Sequence, residues 1–450
     1  MSQVNAADLA SAVALVCRPV QTSPEDYDPL IDIMGDAHFA LLGEATHGTR
    51  EFYLERALIT RRLIEEKGFE AIAVEADWPD AYRVNRFVKG EGDVLEGADP
   101  LSAFLRFPQW MWRNAEVLDF VLWLRQWNDA LPHGRRKVGF YGLDLYGLHA
   151  SIDAVLTYLD RVDPEAAMRA RERYACFESG FGNGRYGYEA ALGLTQSCER
   201  EALQQLLELR RKAVEYGAKE GPLDGDEFFQ AEQNARLVVS AERYYRTMFL
   251  GRISSWNLRD RHMVDTLEAL SGHIARMRGG KGRARMVIWE HNSHIGDARA
   301  TESAEEGEIN VGQLVRERHK ADSVLVGMTT YTGTVMAASD WGSPGEAKRV
   351  RPALPGSYEE LFHDAGVERF ILDLREDNDV IRELGIPRLE RAIGVVYRPE
   401  IERASHYMRS RLTAQFDAIL HFDHTHAVDP LGPPETRGSR EVPETFPSSV

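Results

Sequence analysis

The stretch His38-Phe39-Ala40-Leu41-Leu42-Gly43-Glu44-Ala45-Thr46-His47-Gly48 decides how this chain is read. A short apolar run reads as a buried strand, and it passes directly into a turn carrying a carboxylate and an imidazole three residues apart. From Arg50 to Lys67, apolar residues recur at helical spacing and stop at Gly68, so the unit is strand, loop, helix. Three other runs have the same form. They are Ala71-Ile72-Ala73-Val74 into Glu75-Ala76-Asp77-Trp78, Val138-Gly139-Phe140-Tyr141 into Gly142-Leu143-Asp144, and Met286-Val287-Ile288-Trp289 into Glu290-His291-Asn292-Ser293-His294. In a parallel sheet the carboxyl ends of the strands share one edge, where ligands bind. Residues far apart in sequence are expected to meet there.

Working outward, a helix is expected over Ala6–Val16, and a Pro- and Asp-containing connection leads to the first strand. Between Gly147 and Met277 amphipathic helical patterns dominate, as in Ala202-Leu203-Leu206-Leu207 and Phe228-Ala231-Ala235-Val238-Val239. Strands resume at Met286–Trp289, Ser323–Met328, Arg369–Leu374, Ala392–Val396 and Ala418–Phe422, rich in Val, Ile and Phe. Alternating strands and helices indicate an α/β fold: a mostly parallel central sheet flanked by helices, with a large helical insertion or subdomain. The boundaries read as 1–146 for the first part of the core, 147–280 for the helical insertion and 281–428 for the second part. The Pro-rich segment 429–450 reads as an irregular or disordered tail.

Composition narrows the classes of function. The 450 residues can bury a large core, and 43% apolar with 28% charged residues is ordinary for a globular chain. A formal charge of −17 argues against non-specific attraction to nucleic acid or an anionic membrane, since both require a positive footprint. No membrane-spanning run or signal peptide is read, so a cytoplasmic location is expected. The three cysteines, Cys17, Cys176 and Cys198, form no C-x-x-C motif and are expected to be reduced structural thiols. Composition assigns no oligomeric state.

The chemistry lies at the strand ends. Glu44 and His47 in a glycine-flanked turn suit acid–base work; the bland alternative has Thr46 capping the helix and Glu44 in its first turn. His291 and His294, three apart after an apolar run, could share a metal or titrate near neutrality. Glu75 and Asp144 gain meaning in that company, because a carboxylate behind an imidazole fixes its tautomer. Arg56 and Arg259 could hold an anionic substrate group or a developing oxyanion, against the commoner role of structural ion pairs. There is no G-x-S-x-G elbow, H-E-x-x-H or phosphate-loop motif. Gly180-Phe181-Gly182-Asn183-Gly184 reads as a flexible loop, Arg276–Arg283 as a solvated basic connection, and His421–His426 as the close of the last strand. Phe107, Trp110, Met111 and Trp112 read as core rather than as a ligand groove.

Taken together, Leu42–Thr49 with Glu51-Phe52, Val74–Trp78, Tyr141–Asp144 and His291–His294 resemble the erythromycin esterase family, over roughly residues 30 to 425. The resemblance implies an α/β core with an inserted helical region, a cleft at the sheet edge, and hydrolysis of a macrolide lactone without a covalent serine intermediate. It places His47 as the base that activates water, Glu44 as its acidic partner, and Glu75, Arg56 and His291 in the cleft. Catalytic roles are accordingly expected for His47, Glu44, Glu75 and His291. Substrate binding is expected for Arg56, Asp144, Arg259 and His294, the last three of these added from the reading of the residues themselves. The expected partner is a small-molecule ester, with no cofactor required. The alternatives are a metal-dependent hydrolase or transferase using the same histidines and carboxylates, and a non-catalytic binder of an apolar ligand.

Overall fold

The structure is a computed structural model that describes all residues except 1–5, 22, 92–98, 178–189, 191, 193–195, 221–224, 250, 281 and 433–450. The glycine-rich loop at 180–184 and most of the expected tail therefore lie outside the described residues. The strands are β1 (Arg18–Pro19), β2 (Phe39–Leu42), β3 (Ala71–Asp77), β4 (Gly139–Asp144), β5 (Met286–Trp289), β6 (Ser323–Ala337), β7 (Glu346–Val350), β8 (Arg369–Asp373), β9 (Arg388–Arg391), β10 (Tyr407–Ser410) and β11 (Ala418–Thr425).

One sheet runs in the order β1-β8-β11-β6-β2-β5-β3-β4, with β7 added alongside β6. Its centre is parallel, from β11 through β6, β2, β5 and β3 to β4. Antiparallel pairing is confined to β1 with β8, β8 with β11, and β6 with β7. A parallel strand covered on both faces reads as an unbroken apolar run, and β2 and β5 are buried at every position.

Alternate residues divide between the two faces. Phe39, Leu41, Ile288 and Leu325 join one core with Val155, Ala235, Val238 and Leu267 from the helical block. Ala40, Leu42, Val287, Trp289 and Val326 join the other with Phe52, Ile59, Phe120 and Val121 from helices Arg50–Lys67 and Ala115–Ala130. Between β4 and β5 the described residues form helices, from Leu148–Val162 to Arg252–Met277, and no strand. Trp110, Met111 and Trp112 are buried in the second core and Phe107 packs against it. No helix among the described residues is long and apolar enough to cross a membrane.

Two expectations are corrected. The strand expected at Ala392–Val396 is displaced to β9, which pairs with β10 in a separate two-stranded sheet. Residues 392–396 instead make single bridges, Ile393 to Thr46 and Val396 to Ala338, because their backbone is used to brace the β2 loop. The thiols are not all reduced: Cys176 and Cys198 form a disulfide with Cα atoms 6.0 Å apart, and Cys17 remains free and buried. The turn Ala175–Phe177 and the start of helix Glu199–Arg211 converge, a tertiary proximity that spacing in the chain does not reveal.

Candidate active site

The loop after β2 is fixed from both sides. Gly43 N–H donates to Val326 O (2.8 Å), Ile393 N–H to Ala45 O (2.8 Å), and both Met336 and Val428 N–H to Gly48 O (3.0 Å each). The flanking glycines are required by close approach. A Cβ at Gly43 would overlap the Asn292 side chain, and one at Gly48 the Met336 backbone. Asn292 is itself held, its amide donating to Met328 O at 2.9 Å. Helix Arg50–Lys67 starts from Thr49, whose hydroxyl pairs with that of Thr46, so Thr46 is not the cap.

Within this loop His47 Nδ1 lies 3.0 Å from Glu44 Oε1. The other carboxylate oxygen of Glu44 is 2.7 Å from Arg56 Nη2, and both side chains are fully buried. Arg56 stacks against Tyr53 and Trp289, with its guanidinium carbon 4.4 and 5.2 Å from their ring centres. It holds Glu44 from within the protein and presents no surface to a ligand. Tyr53 O–H donates to His47 O (2.6 Å), fixing the backbone that carries the imidazole.

A second cluster faces this one across His47 Nε2, which is 4.0 Å from Glu75 Oε1. Glu75, in β3, accepts from Arg259 Nη2 (2.8 Å) and from the His291 amide (2.9 Å). Arg259, on helix Arg252–Met277, also pairs with Asp144 at the end of β4 (2.6 Å). Burial opposes an ionised Glu75, but His294, His47 and Arg259 overcome this and hold its carboxyl well below the usual range. His294 Nδ1 donates to Asp260 at 2.9 Å, and the ring stacks on Trp256 at 4.4 Å. Its Nε2 lies 3.0 Å from Arg259 Nη1 and 3.4 Å from Glu75 Oε1. Burial and Arg259 work against a charged ring, yet Asp260 and Glu75 prevail and push His294 up to about 10.

His291 is in the opposite state. Its Nδ1 accepts from the Ser293 amide (3.2 Å) and lies 2.8 Å from the Ser293 hydroxyl, which places its proton on Nε2. That Nε2 has no hydrogen-bond partner among the described residues. Burial and the neighbouring His47, ring centre 4.8 Å away, push His291 down to about 3, so it stays a neutral donor. Beside it Glu290 is fully buried with both carboxyl oxygens unpartnered among the described residues, and burial pushes it well above the carboxylate range.

All eight residues singled out in the sequence thus come together at the carboxyl edge of β2, β3, β4 and β5. Asp260, Trp256, Glu290 and Tyr53 were not assigned site roles. Asp260 and Trp256 carried a legible signal, lying four apart on one helix face beside Arg259. Among the described residues no group of three or more His, Cys, Asp or Glu side chains is arranged to hold a metal ion.

A family model described as erythromycin esterase matches residues 64–425. The chain is 22% identical over 404 residues to an erythromycin esterase type II of Escherichia coli, covering 84% of this chain and 90% of that protein. It is 20% identical over 429 residues to a putative hydrolase, YbfO, of Bacillus subtilis (strain 168), covering 89% and 87%. Among solved structures, it resembles a succinoglycan biosynthesis protein with a TM-score of 0.73 at 20% identity, covering 95% of this chain and all of that one (100%). It also resembles a mutant of the erythromycin esterase EreC in its open conformation, with a TM-score of 0.64 at 17% identity, covering 92% and 97%. At these identities the structural likenesses speak to the fold.

Proposed function

Since this chain belongs to the erythromycin esterase family, we propose that it is a hydrolase of a bulky or cyclic ester, a macrolide lactone or a related substrate, and that His47 activates the attacking water. The observation that carries this reading is the 3.0 Å contact of His47 Nδ1 with Glu44, with Nε2 turned toward Glu75 and His291. Glu44 accepts the hydrogen bond from Nδ1–H, so Nε2 keeps its lone pair. With Nε2 and Glu75 Oε1 4.0 Å apart, a single water set off the line between them would be within hydrogen-bond reach of both. As that water attacks the ester carbonyl, Nε2 removes its proton and Glu75 stabilises the imidazolium that forms. The Nε2–H of His291 donates to the developing oxyanion, and His47 returns its proton to the departing alkoxide. Arg259 and His294 keep Glu75 ionised, and Asp144 holds Arg259 in place. No serine ester forms, and no metal or other cofactor takes part.

The test is mass spectrometry of a fourteen-membered macrolide lactone incubated with wild type and with His47→Ala, each with and without chelator. The expected result is the mass of one added water with wild type alone, unchanged by chelation. Gain with other bulky esters and none with the macrolide would remove only the macrolide. Turnover by a folded His47→Ala variant would overturn the mechanism, and its loss on chelation would favour the metal-dependent reading.

A further inference from the structure

The basic connection at 276–285 does not stand alone in three dimensions. It meets a second basic segment, His133-Gly134-Arg135-Arg136-Lys137, where Arg136 Nη1 donates to Ile274 O at 2.9 Å. Segments 133–137 and 276–285 together hold eight Lys and Arg residues and no acid, in a chain whose net charge is −17. Between them lies a cavity of about 380 Å³ lined by Arg135, Arg136, Lys137 and Arg278, with Trp127 and Leu131 forming an apolar wall. A volume of a few hundred Å³ is that of a small-molecule site.

Charge in this cavity is incompletely compensated. Glu70 is the only acid among its lining residues and is paired with Arg278 at 3.0 Å. Lys137 reaches Asp129 at 3.3 Å, a carboxylate that Arg125 also engages at 2.5 Å. Arg136 meets a carbonyl and no carboxylate, and the Arg135 side chain, whose backbone N–H donates to Pro132 O, has no hydrogen-bond or ion-pair partner among the described residues. The cavity opens beside Glu70 and Val138, the residues just ahead of β3 and β4. Glu75 and Asp144 stand toward the other ends of the same strands, roughly 16–20 Å away at about 3.3 Å per residue.

We propose that this cavity, at the amino edge of the sheet and separate from the catalytic cleft, binds a small organic phosphate. The guanidinium groups of Arg135 and Arg136 hold the phosphate, and the ring or apolar body lies against Trp127 and Leu131. Planar guanidinium forks match phosphate oxygens in pairs, and several cations around one small cavity favour a multiply charged anion over a single carboxylate. The indole of Trp127 is braced in place by stacking on Trp123, 5.9 Å between ring centres.

The test is isothermal titration of the full chain at low ionic strength with AMP, inorganic phosphate and adenosine as probes. The variants are Arg135→Ala/Arg136→Ala, Trp127→Ala and His47→Ala. AMP is expected to bind with one-to-one stoichiometry and more tightly than inorganic phosphate, with adenosine undetected. The double arginine variant should lose at least about tenfold in affinity for AMP, the scale of one charge-assisted hydrogen bond. His47→Ala should bind AMP as wild type does, which separates this site from the cleft. Absence of AMP binding, or unchanged affinity in a folded double arginine variant, would overturn the proposal. Equal affinity for AMP and phosphate, with no effect of Trp127→Ala, would overturn the apolar wall's role.

Discussion

At the scale of single residues, two histidines of one chemical type are driven apart by their neighbours. His47 meets a carboxylate at Nδ1, whereas His291 meets a backbone amide at the same atom, so one exposes a lone pair and the other a proton. Replacing His291 with Ala should lower kcat by about a hundredfold, the usual cost of an oxyanion donor, with little change in KM. Glu44→Gln should cost between about a hundredfold and ten thousandfold in kcat, the range of general-base effects, together with a loss of stability, because it leaves Arg56 buried without its counter-charge. Steady-state kinetics on an ester found to be turned over distinguishes these; an unchanged kcat in the His291 variant would remove its assigned role. Arg56 is tied to stability as much as to catalysis. Arg56→Met leaves Glu44 buried without its counter-charge and should cost about 3 kcal/mol or more, measurable by denaturant unfolding.

At the scale of elements, the catalytic loop is placed by β6 and by the bridge from Ile393, not by its own turn chemistry. Met336 lies in β6 beyond Met328, where the sequence reading ended that strand, and its backbone occupies the space that a Gly48 side chain would need. Gly48→Ala should therefore force the loop off β6, costing about 1–3 kcal/mol as an overpacked site and moving His47 from Glu44. A lower Tm accompanied by a disproportionate loss of kcat is the expected pair of results. Full activity with wild-type stability would show that the loop is not clamped there. The helical block acts in the same way at greater distance, since one helix supplies Trp256, Arg259 and Asp260 to the strand ends.

At the scale of the whole molecule, buried titratable groups shape stability against pH. Burial pushes His262 and His406 down to about 4 and His291 to about 3, so the fold holds these rings neutral. Below their ordinary value of 6.5 the unfolded chain gains protons that the fold refuses, and stability should fall as pH drops from about 6.5 to 4. Glu390, in β9, is pushed up to about 8 by burial, and His294 up to about 10 by its carboxylates against burial. Their contributions run the other way. That of Glu390 is full below 4.5 and lost as pH rises through about 8, and that of His294 is full below 6.5 and lost through about 10. Glu290, also pushed up by burial, acts in the same direction as Glu390. Thermal unfolding from pH 4 to 10 should show a smaller fall on the acid side in His406→Asn than in wild type, and a smaller fall between about 4.5 and 8 in Glu390→Gln. A His406→Asn variant with the wild-type change of Tm from pH 4 to 6.5 would contradict this assignment.

Much of this molecule is local and was therefore legible in the sequence. An apolar run, a glycine-flanked turn and a 3.6-residue period depend on neighbours in the chain, and they located β2, β3, β4 and β5, the helix after His47, and the six site residues at the strand ends. Pairing is not local. Arg259 meets Glu75 across 184 residues of sequence, and no periodicity indicates that it joins Glu75 to Asp144 or that Asp260 stands behind His294. The same holds for the Cys176–Cys198 bond, for residues 392–396 bracing the catalytic loop and leaving their strand to β9, and for the two basic segments meeting at one cavity. Protonation follows burial and nearby charge, both products of the fold, so only the tertiary structure distinguishes the neutral His291 from the charged His294 three residues later.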